Sequence, residues 1–293
     1  MTHRLADLAR GSLALGALTL LLLAAALPAR AQLLYEATAP GGGRMLLLGS
    51  IHLLRPDSAG LGARVEAAYA EADALVFELD LDAARAGAAA MRETGMLPEG
   101  DSLGAHVSPE TRALLAPHLR GFLGPMLART EPWAAALFIS QVGLAEAGFS
   151  PDAGVDAALF ARAKADGKPR VALETVEEQL GFFDTLLPSD QDTFLRLTLL
   201  EADSAATALD RIVGLWKAGD AAGLSAEGER GMNAQPALRA RLLDDRNAAW
   251  VPRLEALVAE GRTPLVVVGA LHLVGAGGVA ERLRARGFTV VQR

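Results

Sequence analysis

The stretch MLLLGSIHLL, residues 45–54, joins a run of four apolar residues to a glycine and then to a histidine. Residues 45–48 have the length and character of a buried strand. Gly49 allows the backbone to turn sharply or to approach another group closely. His52 is therefore predicted to lie just past the end of a buried strand.

The same pattern occurs again near the C-terminus. LLLGSIHLL (46–54) and VVVGALHL (266–273) both place Gly, two residues, His and Leu after an apolar strand. His52 and His272 are thus expected at the carboxyl ends of two strands. Ligands bind outside this edge in open α/β sheets.

Two carboxylates follow apolar runs in a similar way. ALVFE (74–78) ends on Glu78 and RVALE (170–174) ends on Glu174. Two imidazoles and two carboxylates at one edge are suited to a metal site with nitrogen and oxygen ligands. They are equally suited to general acid and base chemistry. Taken singly, each side chain is also consistent with a strand cap satisfied by the backbone.

Short apolar strands alternate with helical patterns along the chain, which predicts an α/β protein. We expect a mostly parallel central sheet with flanking helices and large helical insertions around 80–170 and 175–260, within one domain spanning 32–293. The predicted strands are 32–38, 44–50, 74–79, 170–174, 264–269 and 288–292, the first two joined by the hairpin loop APGGG.

Composition excludes several classes of protein. The formal net charge of −7 argues against nucleic acid as a partner. The chain has no cysteine, which rules out disulfides, thiolate metal sites and a cysteine nucleophile. The oligomeric state cannot be read from the sequence.

Residues 1–31 are predicted to be a signal peptide. Arg4 and Arg10 precede an apolar run that ends in Ala-Arg-Ala at residues 29–31. This order predicts cleavage after Ala31, a periplasmic or secreted protein, and no stable membrane anchor afterwards. A retained membrane anchor is the alternative, because the apolar run approaches the length of a membrane span.

The chain also resembles the TraB/PrgY/GumN family, which includes the Tiki proteases, and within it the GumN-like bacterial branch. The resemblance rests on a pair of G-x-x-H motifs, Gly49–His52 and Gly269–His272, and covers nearly all of 32–293. The other stretches that carry it are ADALVFELD, VALETVEEQLGFFDTL, LWKAGD and DDRNAAWVPRLEAL.

This resemblance implies a fold related to erythromycin esterase and the haem-binding ChaN proteins. From the Tiki branch it implies a metal-dependent peptidase that uses Mn²⁺ or Co²⁺ rather than Zn²⁺. By position, His52, Glu78 and His272 match the metal or catalytic residues. Glu174, Arg246 and Asn247 match further signature positions.

We therefore expect an exported metal-dependent hydrolase acting on a peptide or on a small ester or amide. Glu78 or Glu174 would accept a proton from water, and Arg246 would stabilise an oxyanion. The alternative for Arg246 is a surface ion pair with a nearby acid, and for Asn247 an exposed amide.

A non-catalytic haem- or metal-binding protein of the same fold is the alternative function. Tyr35 and Tyr69 are then the candidates for an axial tyrosine, since the chain has two tyrosines. Asp152 and Asp156, in SPDAGVDAAL, are predicted to cap the following helix.

Overall fold

A computed structural model describes residues 32–58, 60–87, 93–232 and 235–293. The predicted signal peptide lies outside these residues. No helix within the described ranges has both the length and the apolar character needed to cross a membrane.

The core of the fold is a six-stranded, mostly parallel sheet. Its strands are β1 (Leu34–Thr38), β2 (Arg44–Ser50), β3 (Ala74–Phe77), β4 (Arg170–Ala172), β5 (Pro264–Gly269) and β6 (Thr289–Gln292). Their order is β4-β3-β5-β2-β1-β6. The pairs β2–β5, β5–β3 and β3–β4 are parallel, whereas β1 is antiparallel to both β2 and β6. The predicted α/β class is confirmed, and the predicted strands are present with ends that differ by up to two residues.

The apolar runs of the sequence form the centre of this sheet. Residues 45–48 of β2 are fully buried, as are 265 and 266 of β5. Each buried leucine or valine contributes about 1.5–3 kcal/mol relative to an exposed one. The β1–β2 hairpin closes through a bond from the Ala39 nitrogen to the Gly43 carbonyl, 2.7 Å, as the APGGG loop predicts.

Helices connect and cover the strands. They are α1 (Ala63–Glu71), α2 (Leu81–Ala86), α3 (Pro109–Leu119), α4 (Gly124–Leu127), α5 (Pro132–Glu146), α6 (Val155–Ala165), α7 (Val176–Asp184), α8 (Pro188–Glu201), α9 (Ala205–Ala218), α10 (Ala221–Met232), α11 (Pro236–Arg239), α12 (Asp245–Ala259), α13 (Ala270–Leu273) and α14 (Val279–Ala285). A π-helical turn, Ala240–Asp244, precedes α12.

Two apolar clusters organise these layers. The larger one packs the sheet against its flanking helices. The smaller one lies among helices that follow β3 and β4, and Leu103, Leu115, Ile139 and Leu195 belong to it. The helical part of the fold therefore has apolar packing of its own.

Strand β5 is inserted between β2 and β3, although it comes last of the three in the sequence. The carboxyl ends of β2, β5 and β3 consequently lie side by side. Residues that follow these strands are brought to one edge of the sheet.

Candidate functional site

His52, Glu78 and His272 converge at this edge. Ser50 pairs with Gly269 in the β2–β5 register, so the two G-x-x-H motifs end neighbouring strands with an offset of one residue. Nε2 of His52 lies 3.6 Å from Oε1 of Glu78, and Nε2 of His272 lies 3.9 Å from the same oxygen. The two repeated motifs thus place both imidazoles near the same carboxylate oxygen.

Gly269 provides the space between these side chains. A Cβ at this position would lie 3.1 Å from Nε2 of His52 and 3.3 Å from Oε1 of Glu78. The Gly269 nitrogen also donates to Oε1 of Glu78 at 2.7 Å. Any residue could adopt the backbone conformation of Gly269, so the contribution of glycine is the room that it leaves for His52 and Glu78.

Arg246 is the cation of the site. Its Nε and Nη2 donate to the two oxygens of Glu174, both at 2.8 Å, and Nη2 also donates to Oε2 of Glu78 at 2.7 Å. Its Nη1 lies 3.1 Å from the Leu242 carbonyl and 3.2 Å from Nε2 of His272. A guanidinium has five N–H donors, and these contacts use all of them. Arg246 is 8% exposed, so a surface ion pair is the wrong interpretation.

Glu174 holds Arg246 in place. Besides the two Arg246 bonds, its Oε1 accepts from Nε1 of Trp250 at 2.8 Å. The Glu174 nitrogen donates to the Glu78 carbonyl at 2.9 Å, which extends the pairing of β3 with β4 by one residue. A capping box between Thr175 and Glu178 then starts α7. Both oxygens of Glu174 are occupied, so in this structure it acts as an anchor for Arg246 rather than as a free base.

Asn247 orients His272. Its Nδ2 donates to the Gly277 carbonyl at 3.0 Å, which leaves Oδ1 as the acceptor 2.7 Å from Nδ1 of His272. Nδ1 therefore carries the proton and Nε2 keeps a lone pair. Burial lowers the pKa of His272 from 6.5 to about 4, so the ring is neutral at physiological pH. Asn247 is buried, and an exposed amide is the wrong interpretation.

His52 differs from His272 in exposure and in charge. Its side chain is 52% exposed, and its Nδ1 lies 3.1 Å from Oδ2 of Asp156. Burial by itself would lower the pKa of His52, but the carboxylates of Asp156 and Glu78 outweigh it and raise the pKa well above 6.5. Burial likewise would raise the pKa of Glu78, but the positive charges of His52 and Arg246 hold the pKa well below 4.5. Glu78 is thus a carboxylate at physiological pH.

The sequence did not identify Asp156 or Trp250 as site residues. Helix α6 begins at Val155 with Gly154 as its N-cap and no side-chain cap, so the capping role predicted for Asp156 is wrong. Asp152 lies in a 3₁₀ turn before that helix. The sequence around Asp156 gives no sign of its role, because its partner His52 lies about a hundred residues earlier in the chain.

A cleft of about 940 Å³ opens above the site. His52, Glu78, Arg246 and His272 lie on its floor. Much of its remaining wall is apolar and includes Leu53, Phe182, Leu209, Ile212 and Leu242. A cleft of this volume accommodates a small molecule or a short segment of peptide. The two tyrosines do not line it.

Three atoms of the kind that bind divalent metal ions lie around Glu78 and Gly269. They are Nε2 of His52, Nε2 of His272 and Oε1 of Glu78, a donor set typical of Mn²⁺, Co²⁺ and Zn²⁺ sites. Ligands about 2.1 Å from one ion lie roughly 3.0–3.5 Å apart. The observed 3.6 and 3.9 Å are slightly wider, and an ion on Nε2 of His272 would displace Arg246 Nη1.

Among the described residues, no three His, Asp or Glu side chains already stand at the spacing of a formed metal site. The donor atoms of His52, Glu78 and His272 are nevertheless of the kind found in divalent-ion sites. Forming the site would require three changes: the 3.9 Å separation of His272 and Glu78 shortens, Nε2 of His272 leaves Arg246, and the half-exposed His52 ring moves inward and releases its proton.

Comparison with known proteins gave one family match and two relatives that carry the same name in two organisms. The model of the TraB/PrgY/gumN family matches residues 33–292. The chain is 30% identical over 257 residues to the uncharacterized protein YbaP of Escherichia coli (strain K12), covering 85% of this chain and 91% of the relative. The uncharacterized protein YbaP of Shigella flexneri matches with the same identity and coverage. No solved structure matches.

Proposed function

Because the chain belongs to the TraB/PrgY/gumN family, we propose that it is an exported metal-dependent hydrolase that cleaves peptide bonds or other amide or ester bonds. The observation that carries the proposal is the convergence of His52, Glu78 and His272 beside Gly269 on the floor of the cleft. Three side chains from the ends of three strands meet there and face a space large enough for substrate.

His52, Glu78 and His272 would hold a divalent cation, with Mn²⁺ or Co²⁺ proposed ahead of Zn²⁺. When bound, such an ion lowers the pKa of a coordinated water and polarises a carbonyl oxygen. In the described structure Nε2 of His272 is unprotonated and Glu78 is ionised, as ligands must be. The pKa of His52 is raised, so His52 would have to release a proton when the ion binds. Of the two acids, Glu78 lines the cleft and Glu174 does not, so we assign Glu78 to accept the proton of the attacking water. Its Oε2 would have to exchange the bond it now accepts from Arg246 for that proton.

Arg246 would stabilise negative charge that develops on the carbonyl oxygen of the substrate. Its five N–H groups are engaged, but a fixed buried cation stabilises a nearby anion through its field as well as through a direct bond. Glu174, Trp250 and the Leu242 carbonyl fix the guanidinium, so it need not reorganise during the reaction. Asn247 acts through His272 by fixing its tautomer.

The test uses the chain from Gln32 onward, treated with a chelator and then supplied with Mn²⁺, Co²⁺ or Zn²⁺. Turnover of a peptide library and of simple ester and amide substrates should depend on added metal. It should be lost in His52→Ala and His272→Ala and retained in His118→Ala, a control histidine on α3 away from the cleft. The absence of metal-stimulated turnover, or full activity of His52→Ala, would overturn the proposal.

Haem titration distinguishes the alternative of a non-catalytic binding protein. A haem absorption band without turnover would favour that alternative. Neither tyrosine offers an axial ligand in the cleft, because Tyr35 lies in β1 and the hydroxyl of Tyr69 donates to Asp166 at 2.6 Å. Export is tested separately, by recovering from the periplasm or the medium a chain that begins at Gln32.

A further inference from the structure

We propose that Asp156 is the positioning residue of His52 and holds its ring so that Nε2 faces Glu78 and the cleft. Asn247 performs the corresponding task for His272. The consequence for metal binding rests on the proposed function, whereas the orientation of His52 does not. Both histidines of the repeated motif would then be oriented through Nδ1 and present Nε2 to the site.

The geometry of the ring supports this role. Oδ2 of Asp156 lies 3.1 Å from Nδ1 of His52, and the opposite nitrogen lies 3.6 Å from Glu78. A carboxylate attracts a protonated nitrogen, so this contact favours a proton on Nδ1 and thereby sets the direction in which Nε2 points. Since half of the His52 side chain is exposed, packing alone does not fix the ring.

Backbone contacts hold Asp156 in register with His52. The Val155 nitrogen donates to the Ile51 carbonyl at 3.0 Å, which attaches the first turn of α6 to the segment after β2. Leu54 and Ser150 pair through two further backbone bonds of 3.2 and 2.9 Å. A Cβ on Gly154 would lie 2.5 Å from the His52 carbonyl oxygen, so only glycine permits this approach.

The surroundings of Asp156 do not suggest a purely structural acid. It makes no helix cap, and its Oδ1 is buried without a hydrogen-bond partner among the described residues. Buried polar atoms in structural positions are usually satisfied. The Asp156 side chain is 16% exposed. It lines the cleft and lies against the imidazole of His52. A carboxylate behind a ligating histidine is a common second partner in metal sites, where it fixes the ring and raises its basicity.

The experiment compares Asp156→Ala and Asp156→Asn with the parent chain, and Asp152→Asn serves as an exposed acidic control nearby. Asparagine keeps an oxygen that can accept from Nδ1, whereas alanine does not. The first readout is the Nδ1–H proton resonance of His52 in chelator-treated protein, assigned by its loss in His52→Gln. The second is Co²⁺ affinity and the visible spectrum of the Co²⁺ complex.

We expect the His52 resonance in the parent and in Asp156→Asn and its loss in Asp156→Ala. Co²⁺ affinity should fall roughly 10–100-fold in Asp156→Ala and less in Asp156→Asn, and Asp152→Asn should match the parent in both readouts. An unchanged resonance in a folded Asp156→Ala protein would overturn the proposal. If the parent binds no Co²⁺, the proposed function fails, and the resonance still decides the role of Asp156.

Discussion

Arg246 is the residue on which the other buried charges depend. Its guanidinium contacts Glu78, Glu174 and His272 at once, and Glu174 anchors it from the opposite side. The sequence suggested Glu174 as a second base, but its oxygens are committed to Arg246 and Trp250. Glu78 is therefore the carboxylate that faces the cleft, and Glu174 is the carboxylate that holds Arg246 in place.

Arg246→Lys should destabilise the fold strongly, because an ammonium cannot reproduce the paired bonds to Glu174 and leaves buried acids short of partners. We expect a loss of about 3–5 kcal/mol in the free energy of unfolding, measured by urea denaturation. Arg262→Lys is the control, since Arg262 pairs with Glu260 at 3.5 Å on the surface. That change should cost less than about 0.5 kcal/mol. Equal stability of the two variants would show that Arg246 is not the support of the site.

The neutral state of His272 predicts a dependence of stability on pH in chelator-treated protein. Its folded pKa of about 4 lies below the ordinary 6.5, so the unfolded chain binds the proton first as pH falls. The contribution is fully present above pH 6.5 and is lost progressively as pH falls, and at about pH 4 the loss of stability reaches roughly 3 kcal/mol.

Urea unfolding across this range of pH should show the loss in the parent and a shallower loss in His272→Gln. Glu78 contributes in the same direction at the acid end, because its pKa is lowered below 4.5. His52 contributes oppositely: with a raised pKa, its stabilisation is present at low pH and disappears as pH rises. Identical slopes in parent and variant would contradict a buried neutral His272.

At the scale of elements, the start of α6 positions the wall of the site against β2. Gly154→Ala should push this helix away, since the new Cβ would meet the carbonyl oxygens of His52 at 2.5 Å and of Pro151 at 3.0 Å. We expect destabilisation of about 1–3 kcal/mol by urea denaturation. Gly143→Ala, at an exposed position of α5 with open space around its Cβ, should instead stabilise by about 0.5–1 kcal/mol. A neutral Gly154→Ala would show that the helix can shift without cost.

The strands could be predicted because their apolar runs are local, and the end of each run fixes which residue reaches the sheet edge. This is why the sequence alone predicts four side chains at that edge: His52, Glu78, Glu174 and His272. The position of β5 between β2 and β3 depends on pairing between distant segments, so no local pattern shows it. The pairing of Asp156 with His52 was missed for the same reason. The burial of Arg246 was equally hidden, because DDRN has the composition of a helix surface.

At the scale of the whole molecule, the two apolar clusters support different parts of the cleft. The floor belongs to the sheet, whereas α5 and α7 contribute Gln141, Phe182 and Phe183 to the wall. Phe183 stacks between Trp133 and Phe194 with ring centroids 5.9 Å apart on both sides. Phe194 in turn packs against the smaller cluster. This part of the cleft wall therefore packs on the smaller apolar cluster, whereas the cleft floor packs on the larger one.

This division predicts that the two clusters open separately. Leu115→Ala removes a fully buried side chain from the smaller cluster and should cost about 2–5 kcal/mol locally. Hydrogen exchange should show lower protection in α3, α5 and α8, while the Gly269 amide that donates to Glu78 keeps its protection. Leu47→Ala, in the sheet cluster, should lower protection throughout the described residues. If Leu115→Ala also released the Gly269 amide, the fold would be one cooperative unit and the cleft wall could not move independently of the floor.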